Sequence, residues 1–445
     1  MKNRFSTAFL TVILCLSLTL ASIISLSSCL LIGGDVGGGS GEENPDTNGN
    51  TPDIGGEGVG TGTEGENDDT SDTVTEFYPG FGDSDISDIS VTSSSRALLS
   101  SVSILSHFER YYGSDFGYGY EEGSIQAYKV HGSGVIYKLD RASGDAYIIT
   151  NYHVVSHYES ITPNHVSSDI DVFLYGQESK NYAMKATYVG GSMTQDIAVL
   201  RIENSDVLKN SYAIPLTVED SSTVGVMDTV VAIGNSEGEG IQATSGIISV
   251  DNEDLSITGA DHRTTITLNV MRISAAINEG NSGGGLFNTD GKLIGIVVAK
   301  KTGSDVDNLA YAIPSNRAIN IADAIIDTCD GTETLLYRCM LGFTMNADVK
   351  GLDIDPETGK ITKVSLVKVD TVLAGGALEG KLAVGDLIKY ITVDGVKRDI
   401  TQIYQVIEHI FTARVGSTVI VGVERDGINV SFTVTMTEDD LSLVK

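Results

Sequence analysis

The feature that most constrains the fold of this chain is a succession of short apolar segments across residues 96–314. Each segment is only a few residues long and is bounded by Gly, Asn, Asp or Ser, the residues that favour tight turns. No helical period lies between the segments, so the pattern predicts a mainly β structure, either a barrel or a sandwich. The predicted strands are 134–137, 147–150, 171–175, 197–202, 230–234, 246–250, 265–270 and 293–299.

Two predicted helices and one predicted loop interrupt this pattern. Residues 315–327 begin with a serine that can cap a helix, and their apolar side chains recur at helical spacing. Residues 402–411 have the same spacing and lie in a smaller, strand-rich unit at 341–437. The Gly- and Tyr-rich stretch 111–122 is expected to form an exposed loop. The sequence thus predicts structured domains at 96–328 and 341–437, joined by a linker at 329–340.

The first 29 residues have the pattern of a targeting segment. A basic start at Lys2 and Arg4 precedes an uncharged stretch, and Leu26-Ser27-Ser28-Cys29 ends it. This ending resembles the lipobox of bacterial lipoproteins. The resemblance implies removal of residues 1–28, a diacylglycerol thioether on Cys29, and an extracytoplasmic protein held at the cell membrane by lipid. An ordinary secretory signal with a chance cysteine is the alternative, and either signal exports the mature protein.

Residues 29–95 are predicted to be a disordered, acidic, Gly-rich tether. Between Leu30 and Ser95 the chain carries 15 Asp or Glu and no Lys or Arg, with too few apolar residues to bury a core. The formal net charge of the whole chain is −31. Such a charge argues against a nucleic-acid partner, because phosphate binding needs a basic surface.

The strongest chemical signal is the pentapeptide Gly280-Asn281-Ser282-Gly283-Gly284. A serine hydroxyl needs a neighbouring base to become a nucleophile, and glycines beside it let a carbonyl group approach closely. The same five residues fit the G-x-S-x-G elbow of α/β-hydrolases, in which the acid and the histidine follow the serine. Only His409 follows Ser282, and no parallel sheet with crossover helices is predicted, so that alternative is rejected.

The order His, Asp, Ser along the chain matches the chymotrypsin arrangement. His153 directly follows one predicted strand, and Asp196 stands at the start of another. A carboxylate at such an edge can be desolvated enough to hold an imidazole in one tautomer. Alone, each residue would have an ordinary structural explanation. Together and in this order, His153, Asp196 and Ser282 are the predicted catalytic residues.

With its flanking segments, this triad resembles the HtrA/DegP family of trypsin-fold serine proteases over roughly residues 96–437. The resemblance implies two six-stranded barrels with the triad at their seam, and an oxyanion hole formed by the N–H groups of Gly280 and Ser282. Glu279 and Gly285 depart from the family pattern, which often has proline at one or both positions. The matching segments occur in the family's order at 132–136, 150–155, 196–200, 231–235, 244–249, 275–278, 293–296 and 311–316.

The resemblance also implies two binding sites. A substrate pocket is expected at Ala276, Ile277 and the region of Ile296; it carries no acid and so favours small or medium apolar side chains. The C-terminal unit resembles a PDZ domain, a small β-barrel with helices, in which Leu341-Gly342-Phe343 would capture the terminal carboxylate of a peptide with an apolar C-terminus. The expected substrates are unfolded or exported proteins, and a homotrimer is expected from the family.

Metal and cofactor binding have little support in the sequence. His153 and His157 have the spacing of the zinc-binding H-E-x-x-H motif, but Val154 stands where the motif needs glutamate. His165 completes no ligand set, and no nucleotide-binding loop occurs. No metal, cofactor or ATP dependence is therefore expected.

Two questions remain open at this stage. Cys329 and Cys339 can form a disulfide or remain two free thiols. The function is either that of an ATP-independent endopeptidase or that of a non-catalytic PDZ-containing chaperone or binding lipoprotein that uses the protease fold as a scaffold. The intact triad favours the endopeptidase, because a scaffold has no need to keep all three residues.

Overall fold

The computed structural model describes residues 92–112, 124–298, 310–328, 336–357 and 359–444. By internal contacts the chain divides into Met1–Ser71 and Asp72–Lys445, and every described residue belongs to the second unit. The predicted signal peptide with Cys29, the tether up to residue 91, residues 113–122 of the predicted loop and Cys329 lie outside the described residues. No helix within the described ranges combines the length and the apolar character needed to cross a membrane.

The first domain starts with a closed barrel of six strands. These are β1 (Ser101–Tyr112), β2 (Ser124–Asp140), β3 (Asp145–Thr150), β4 (Asp169–Leu174), β5 (Met184–Ser192) and β6 (Ile197–Ile202). Strand β1 pairs antiparallel with both β2 and β4, which closes the barrel. Because side chains alternate along each strand, one set points inward, and Ile104, Ile136, Ile148 and Leu200 are fully buried there.

A second closed barrel of six strands follows. Its strands are β7 (Thr229–Gly234), β8 (Gln242–Thr258), β9 (Thr265–Ile273), β10 (Gly285–Phe287), β11 (Leu293–Val298) and β12 (Ala310–Pro314). Strand β7 pairs with both β8 and β10 and so closes it. Every predicted strand overlaps an observed strand of one barrel or the other, although β4 ends at Leu174 and residue 299 lies outside the described residues. The prediction of a mainly β, barrel-type fold is therefore confirmed.

Five α-helices lie in the described part of the chain. They are α1 (Ser93–Leu99), α2 (Tyr152–Val155), α3 (Asp206–Lys209), α4 (Ser315–Thr328) and α5 (Ile403–Ile410). The helices predicted at 315–327 and 402–411 correspond to α4 and α5. Helix α4 buries Ala318, Ile321, Ala322 and Ile325 in the core that it shares with the second barrel. Helix α1 begins before residue 96, the predicted start of the first domain.

The C-terminal unit is a sheet with helix α5 packed beside it. The strands are β13 (Leu336–Cys339), β14 (Phe343–Ile354), β15 (Ile361–Val372), β16 (Leu387–Val393), β17 (Val396–Asp399), β18 (Thr418–Arg425), β19 (Ile428–Thr435) and β20 (Leu441–Val444). In the main sheet the order is β14-β15-β16-β18-β19, so that β14 is an edge strand. The core contains Val367, Ile391, Val406 and Val421.

The boundaries of this unit differ from those predicted. Strand β13 falls in the predicted linker 329–340, and it pairs with β20, which lies beyond the predicted end at residue 437. The physical reason is burial: Cys339 is 1% exposed and packs with Leu341 in the core of the C-terminal unit. Burial also raises the pKa of the Cys339 thiol. The sequence left open whether Cys339 pairs with Cys329, and Cys329 lies outside the described residues.

Polar and apolar contacts join the C-terminal unit to the barrels. Arg398 forms an ion pair with Asp220 at 2.8 Å, and Lys360 forms one with Asp228 at 2.7 Å. Ile407 within α5 and Phe411 just after it pack into the same apolar cluster as α4. The two domains therefore share a packed interface in which α4 faces α5.

Candidate active site

His153 lies in the single turn of helix α2, immediately after strand β3. Val154 and Val155 are buried in the core of the first barrel and anchor this turn. Thr150 and Asn151, which connect strand to turn, are fully buried. The imidazole side chain remains 21% exposed. His153 is thus rigidly supported at the edge of the first barrel and still reaches solvent.

Asp196 stands next to His153 at the start of strand β6. Its Oδ2 and Oδ1 atoms lie 2.8 and 3.0 Å from His153 Nδ1, and Oδ1 also accepts the backbone N–H of His153 at 3.1 Å. Asp196 is only 2% exposed. Because a carboxylate can only accept, the imidazole must donate from Nδ1, which leaves the lone pair of Nε2 available to take a proton.

The backbone of Asp196 is held in an unusual conformation. Its φ is 52°, in the left-handed region that few non-glycine residues adopt. The buried Asn151 side chain donates from Nδ2 to the Asp196 carbonyl oxygen at 2.8 Å. Asn151 Oδ1 has no hydrogen-bond partner among the described residues. Asn151 thereby helps to place the carboxylate, a contribution that the sequence analysis missed.

Ser282 lies in the turn that connects strands β9 and β10 of the second barrel. Gly280 and Gly283 have φ values of 93° and 83°, which favour glycine. A Cβ on Gly280 would overlap the Asn235 carbonyl oxygen, and one on Gly283 would overlap Thr150 Oγ1. Gly283 therefore brings the Ser282 turn against the segment that leads to His153, and the structure places all three predicted catalytic residues along the seam between the barrels.

Hydrogen bonds to two alternate carbonyl groups help to set the orientation of this turn. The Glu279 carbonyl accepts the N–H of Glu237 at 2.7 Å, and the Asn281 carbonyl accepts the N–H of Gly284 at 3.0 Å. In a trans peptide the N–H points away from the preceding carbonyl. These two bonds consequently direct the N–H groups of Gly280 and Ser282, the two predicted oxyanion donors. Glu237 contributes through its backbone N–H, a group that every residue except proline has, so no sequence pattern indicates this role.

Ser133, in strand β2 of the first barrel, contacts the same turn. Its N–H donates to the Ser282 carbonyl at 2.8 Å, and its hydroxyl donates to the Gly280 carbonyl at 2.7 Å. The hydroxyl also accepts the N–H of Asn235 at 2.7 Å, and the Ser133 carbonyl accepts the Thr150 hydroxyl at 2.7 Å. The sequence analysis noted residues 132–136 only as a matching segment and assigned Ser133 no role.

The three predicted pocket residues differ in their surroundings. Ala276 is exposed, and its carbonyl accepts the Thr244 hydroxyl at 2.9 Å. Ile277 is half-buried beside the apolar cluster of the second barrel. Ile296 is fully buried in the core. Ala276 and Ile277 are therefore accessible to a substrate, whereas the Ile296 side chain fills the core.

The predicted carboxylate loop lies where strand β14 begins. Leu341 is buried, and Gly342 has a φ of 75°. The Gly342 carbonyl accepts the N–H of Leu373 at 2.8 Å, and a Cβ on Gly342 would overlap Gly376. Phe343 packs partly against the core and starts the edge strand. The loop thus has a defined shape at the open edge of the sheet.

The three histidines weighed as metal ligands have other partners. His153 is engaged by Asp196, and His157 Nδ1 accepts the N–H of Glu159 at 3.3 Å. His165 donates from Nδ1 to the Ser160 carbonyl at 2.8 Å. Within the described ranges, no group of three or more His, Cys, Asp or Glu is arranged to hold a metal ion.

Two closed barrels, with a His–Asp pair on the first and a glycine-flanked serine on the second, characterise the trypsin-like class of serine peptidases. The sequence model of the trypsin-like peptidase domain matches residues 132–296, a range that includes His153, Asp196 and Ser282.

Comparison with individual proteins narrows the class to a family. A Do-like HtrA serine protease of Lactobacillus helveticus is 30% identical over 71% of this chain and 70% of that protein. One of Lactococcus lactis subsp. cremoris is 35% identical over 57% of this chain and 60% of that protein. The periplasmic pH-dependent serine endoprotease DegQ of Escherichia coli is 29% identical over 74% of this chain and 63% of that protein. The chain belongs to the HtrA family of serine proteases.

Coverage differs among the relatives and solved structures. The chain spans 42 to 60% of the length of three Do-like HtrA proteins from Lactococcus lactis and Bacillus subtilis. The solved structure of the HtrA-type protease AlgW with a decapeptide is similar at a TM-score of 0.47 and 25% identity, over 78% of this chain and 97% of that one.

Proposed function

We propose that this protein is an ATP-independent serine endopeptidase in which Ser282 is the nucleophile. His153 takes the hydroxyl proton as general base and returns it to the leaving amine as general acid, while Asp196 orients the imidazole. The observation that carries the proposal is the buried Asp196 carboxylate, 2.8 Å from His153 Nδ1. Water then attacks the acyl group on Ser282, and His153 serves as base a second time.

Charge develops on the substrate carbonyl oxygen during each attack. In the proposed mechanism the N–H groups of Gly280 and Ser282 stabilise this oxyanion, a contribution for which loss of one donor costs about 10²–10³ in rate. The hydrogen bonds to the Glu279 and Asn281 carbonyls support the proposal, because they orient these two N–H groups before substrate arrives. Preorganised donors need no rearrangement at the moment of reaction.

The proposed substrates are unfolded or exported proteins. The exposed Ala276 and the half-buried Ile277 favour a small or medium apolar side chain before the cleaved bond. An unfolded chain exposes such residues in an extended form, whereas a folded protein buries them. Cleavage of casein, but not of a stable folded protein of similar size, is the expected pattern.

The proposed location is outside the cytoplasm, with a lipid on Cys29 as the membrane anchor. The basic start and the Leu26-Ser27-Ser28-Cys29 ending support this location, and the related DegQ is named as periplasmic. Mass spectrometry of the mature N-terminus tests the anchor. A diacylglycerol-modified Cys29 is expected, and an unmodified Cys29 or a terminus at another residue would refute it.

The C-terminal unit is proposed to be a PDZ domain that binds peptides with apolar C-termini. The open edge of strand β14 and the left-handed Gly342 support this proposal, because a peptide can add as a strand there and place its carboxylate against the loop. Fluorescence anisotropy with a peptide ending in valine tests it, and the same peptide with an amidated C-terminus is the control. Equal affinity for the two peptides would contradict carboxylate capture.

The catalytic proposal is tested with casein and two proteins, wild type and Ser282→Ala. Wild type should release fragments, and Ser282→Ala should release none while keeping its thermal unfolding midpoint. Each reaction is repeated with the valine-ended peptide, because a ligand of the C-terminal unit can switch on a resting enzyme. Equal activity of the two proteins, or no cleavage by wild type in any condition, would favour the non-catalytic binding protein instead. The homotrimer expected from the family resemblance is a separate proposal, and sedimentation of the same samples tests it.

A further inference from the structure

We propose that Ser133 is a positioning residue that holds the oxyanion-binding turn of the second barrel from the first barrel. The inference rests on the proposed function and concerns the same site. Ser133 touches no reacting atom in the proposed mechanism; it acts through the two peptide groups that flank the Asn281–Ser282 peptide.

Four consecutive carbonyl groups of the turn, at residues 279–282, each accept a hydrogen bond. Glu237 and Gly284 supply the donors for the first and third, and both belong to the second barrel. Ser133 supplies the donors for the second and fourth, at 2.7 and 2.8 Å. One residue from across the seam thus supplies two of the four hydrogen bonds to these carbonyl groups.

The alternation of donors explains why Ser133 matters for chemistry. Gly280 has no Cβ, so the peptide groups around it can rotate into several conformations of similar energy. A donor on each neighbouring carbonyl removes that freedom and keeps the N–H groups of Gly280 and Ser282 fixed. Because oxyanion stabilisation depends on donors that are already in place, loss of one anchor lowers the rate of the chemical step rather than substrate binding.

The surroundings of Ser133 hold its hydroxyl and carbonyl groups in a defined orientation. The residue is 1% exposed, and its hydroxyl both donates to Gly280 and accepts from the N–H of Asn235, so the hydroxyl has a defined orientation. Its carbonyl accepts the hydroxyl of Thr150, three residues before His153. Ser133 therefore connects the segment that carries the proposed base to the turn that carries the nucleophile.

The test compares Ser133→Ala with wild type in cleavage of a peptide substrate. We expect kcat to fall about 10²-fold, near the effect of losing one oxyanion donor, with KM changed less than about threefold. Affinity for a peptide boronate, which forms a tetrahedral adduct at Ser282, should fall by a factor similar to that of kcat, whereas affinity for the product peptide should not.

Ser101→Ala is the matched control. Ser101 is a buried serine of the neighbouring strand β1, and its hydroxyl donates to the Ala97 carbonyl at 2.8 Å, away from the turn. This variant should keep kcat within about threefold of wild type. If Ser133→Ala does not fold, Ser133→Cys keeps the shape with a weaker donor and should show at least a tenfold fall in kcat with unchanged KM.

The outcomes distinguish a failure of the positioning role of Ser133 from a failure of the proposed endopeptidase function. If wild type is active and the folded Ser133 variant keeps kcat within threefold, or loses boronate and product affinity equally, the positioning role is overturned. A Ser101→Ala loss as large as that of Ser133→Ala would also overturn it. If wild type neither cleaves casein nor binds the boronate, the proposed function itself fails, and the role of Ser133 fails with it.

Discussion

Asp196 holds His153 at two points, through the imidazole Nδ1 at 2.8 Å and through the backbone N–H at 3.1 Å. The first contact selects the tautomer, and the second fixes the position of the helical turn that carries the ring. Since the two contacts share one buried carboxylate, orientation and placement of the imidazole are coupled.

Replacing Asp196 with asparagine should separate these two contributions. The amide oxygen can still accept the backbone N–H, but the side chain can also donate to Nδ1 and favour the wrong tautomer. We expect kcat to fall about 10³–10⁴-fold while circular dichroism and the unfolding midpoint stay close to wild type. Asp171→Asn is the control, because Asp171 forms a similar pair with His107 at 2.9 Å elsewhere in the first barrel. An unchanged rate in Asp196→Asn would remove Asp196 from the mechanism.

Asn151→Ala should lower kcat about tenfold. The change leaves the Asp196 carbonyl without its side-chain donor and frees a left-handed backbone that is otherwise held in place. If Asn151 acts through Asp196, the effect should largely disappear in the Asp196→Asn background, a non-additivity that a double-mutant cycle measures. Additive losses in the cycle would contradict this role.

Gly285→Ala should destabilise the fold by about 1–3 kcal/mol through overpacking. A Cβ at this position would overlap the ring of Phe287 and lie 3.0 Å from Val135 Cγ1. This contact gives a physical reason for the departure from the family pattern at Gly285. In the Phe287→Leu background the same change should cost less, as measured by urea unfolding, and an equal cost in both backgrounds would argue against this explanation.

The pH dependence of stability should reflect the titration of Glu408 in α5. This residue is 4% exposed, and its backbone carbonyl accepts the side-chain amide of Asn320 in α4 at 3.0 Å. Burial raises the pKa of its carboxyl from 4.5 to about 7, although Arg317 and Arg398 lower it and Asp220 raises it further. The folded protein therefore keeps this proton as pH rises from 4.5 to 7, whereas the unfolded chain loses it. Glu408 therefore adds to the free energy of unfolding at low pH, and this contribution declines as pH rises from 4.5 to 7.

Glu408→Gln removes the titration. Between pH 5 and pH 8, wild type should lose the stability that Glu408 contributes, whereas the variant should not. The difference in free energy of unfolding, variant minus wild type, should therefore increase by about 2–3 kcal/mol over this range. Urea unfolding of both proteins across this range measures the difference. A difference that does not change with pH would show that Glu408 titrates normally in the folded protein.

The fold was largely predictable because its signals are local. Strand β6, Ile197–Ile202, has the predicted bounds, since a short apolar run ended by turn residues identifies a strand without reference to the rest of the chain. The pairing of β13 with β20 was not predicted. It joins segments far apart in sequence, and such pairing depends on a shared core rather than on the composition of either segment.

The candidate site likewise has a part that the sequence predicts and a part that only the structure shows. The sequence by itself determined the residue types of the proposed triad, their order and the glycines of the Ser282 turn, because nucleophile, base and acid need particular side chains. Only the tertiary structure decided what orients them: the Ser133 hydroxyl, the Asn151 amide and the backbone N–H of Glu237. Almost every residue carries a backbone N–H, and serine and asparagine are common residues, so no sequence pattern identifies these partners. They can be identified only from the folded structure, in which the two barrels lie side by side.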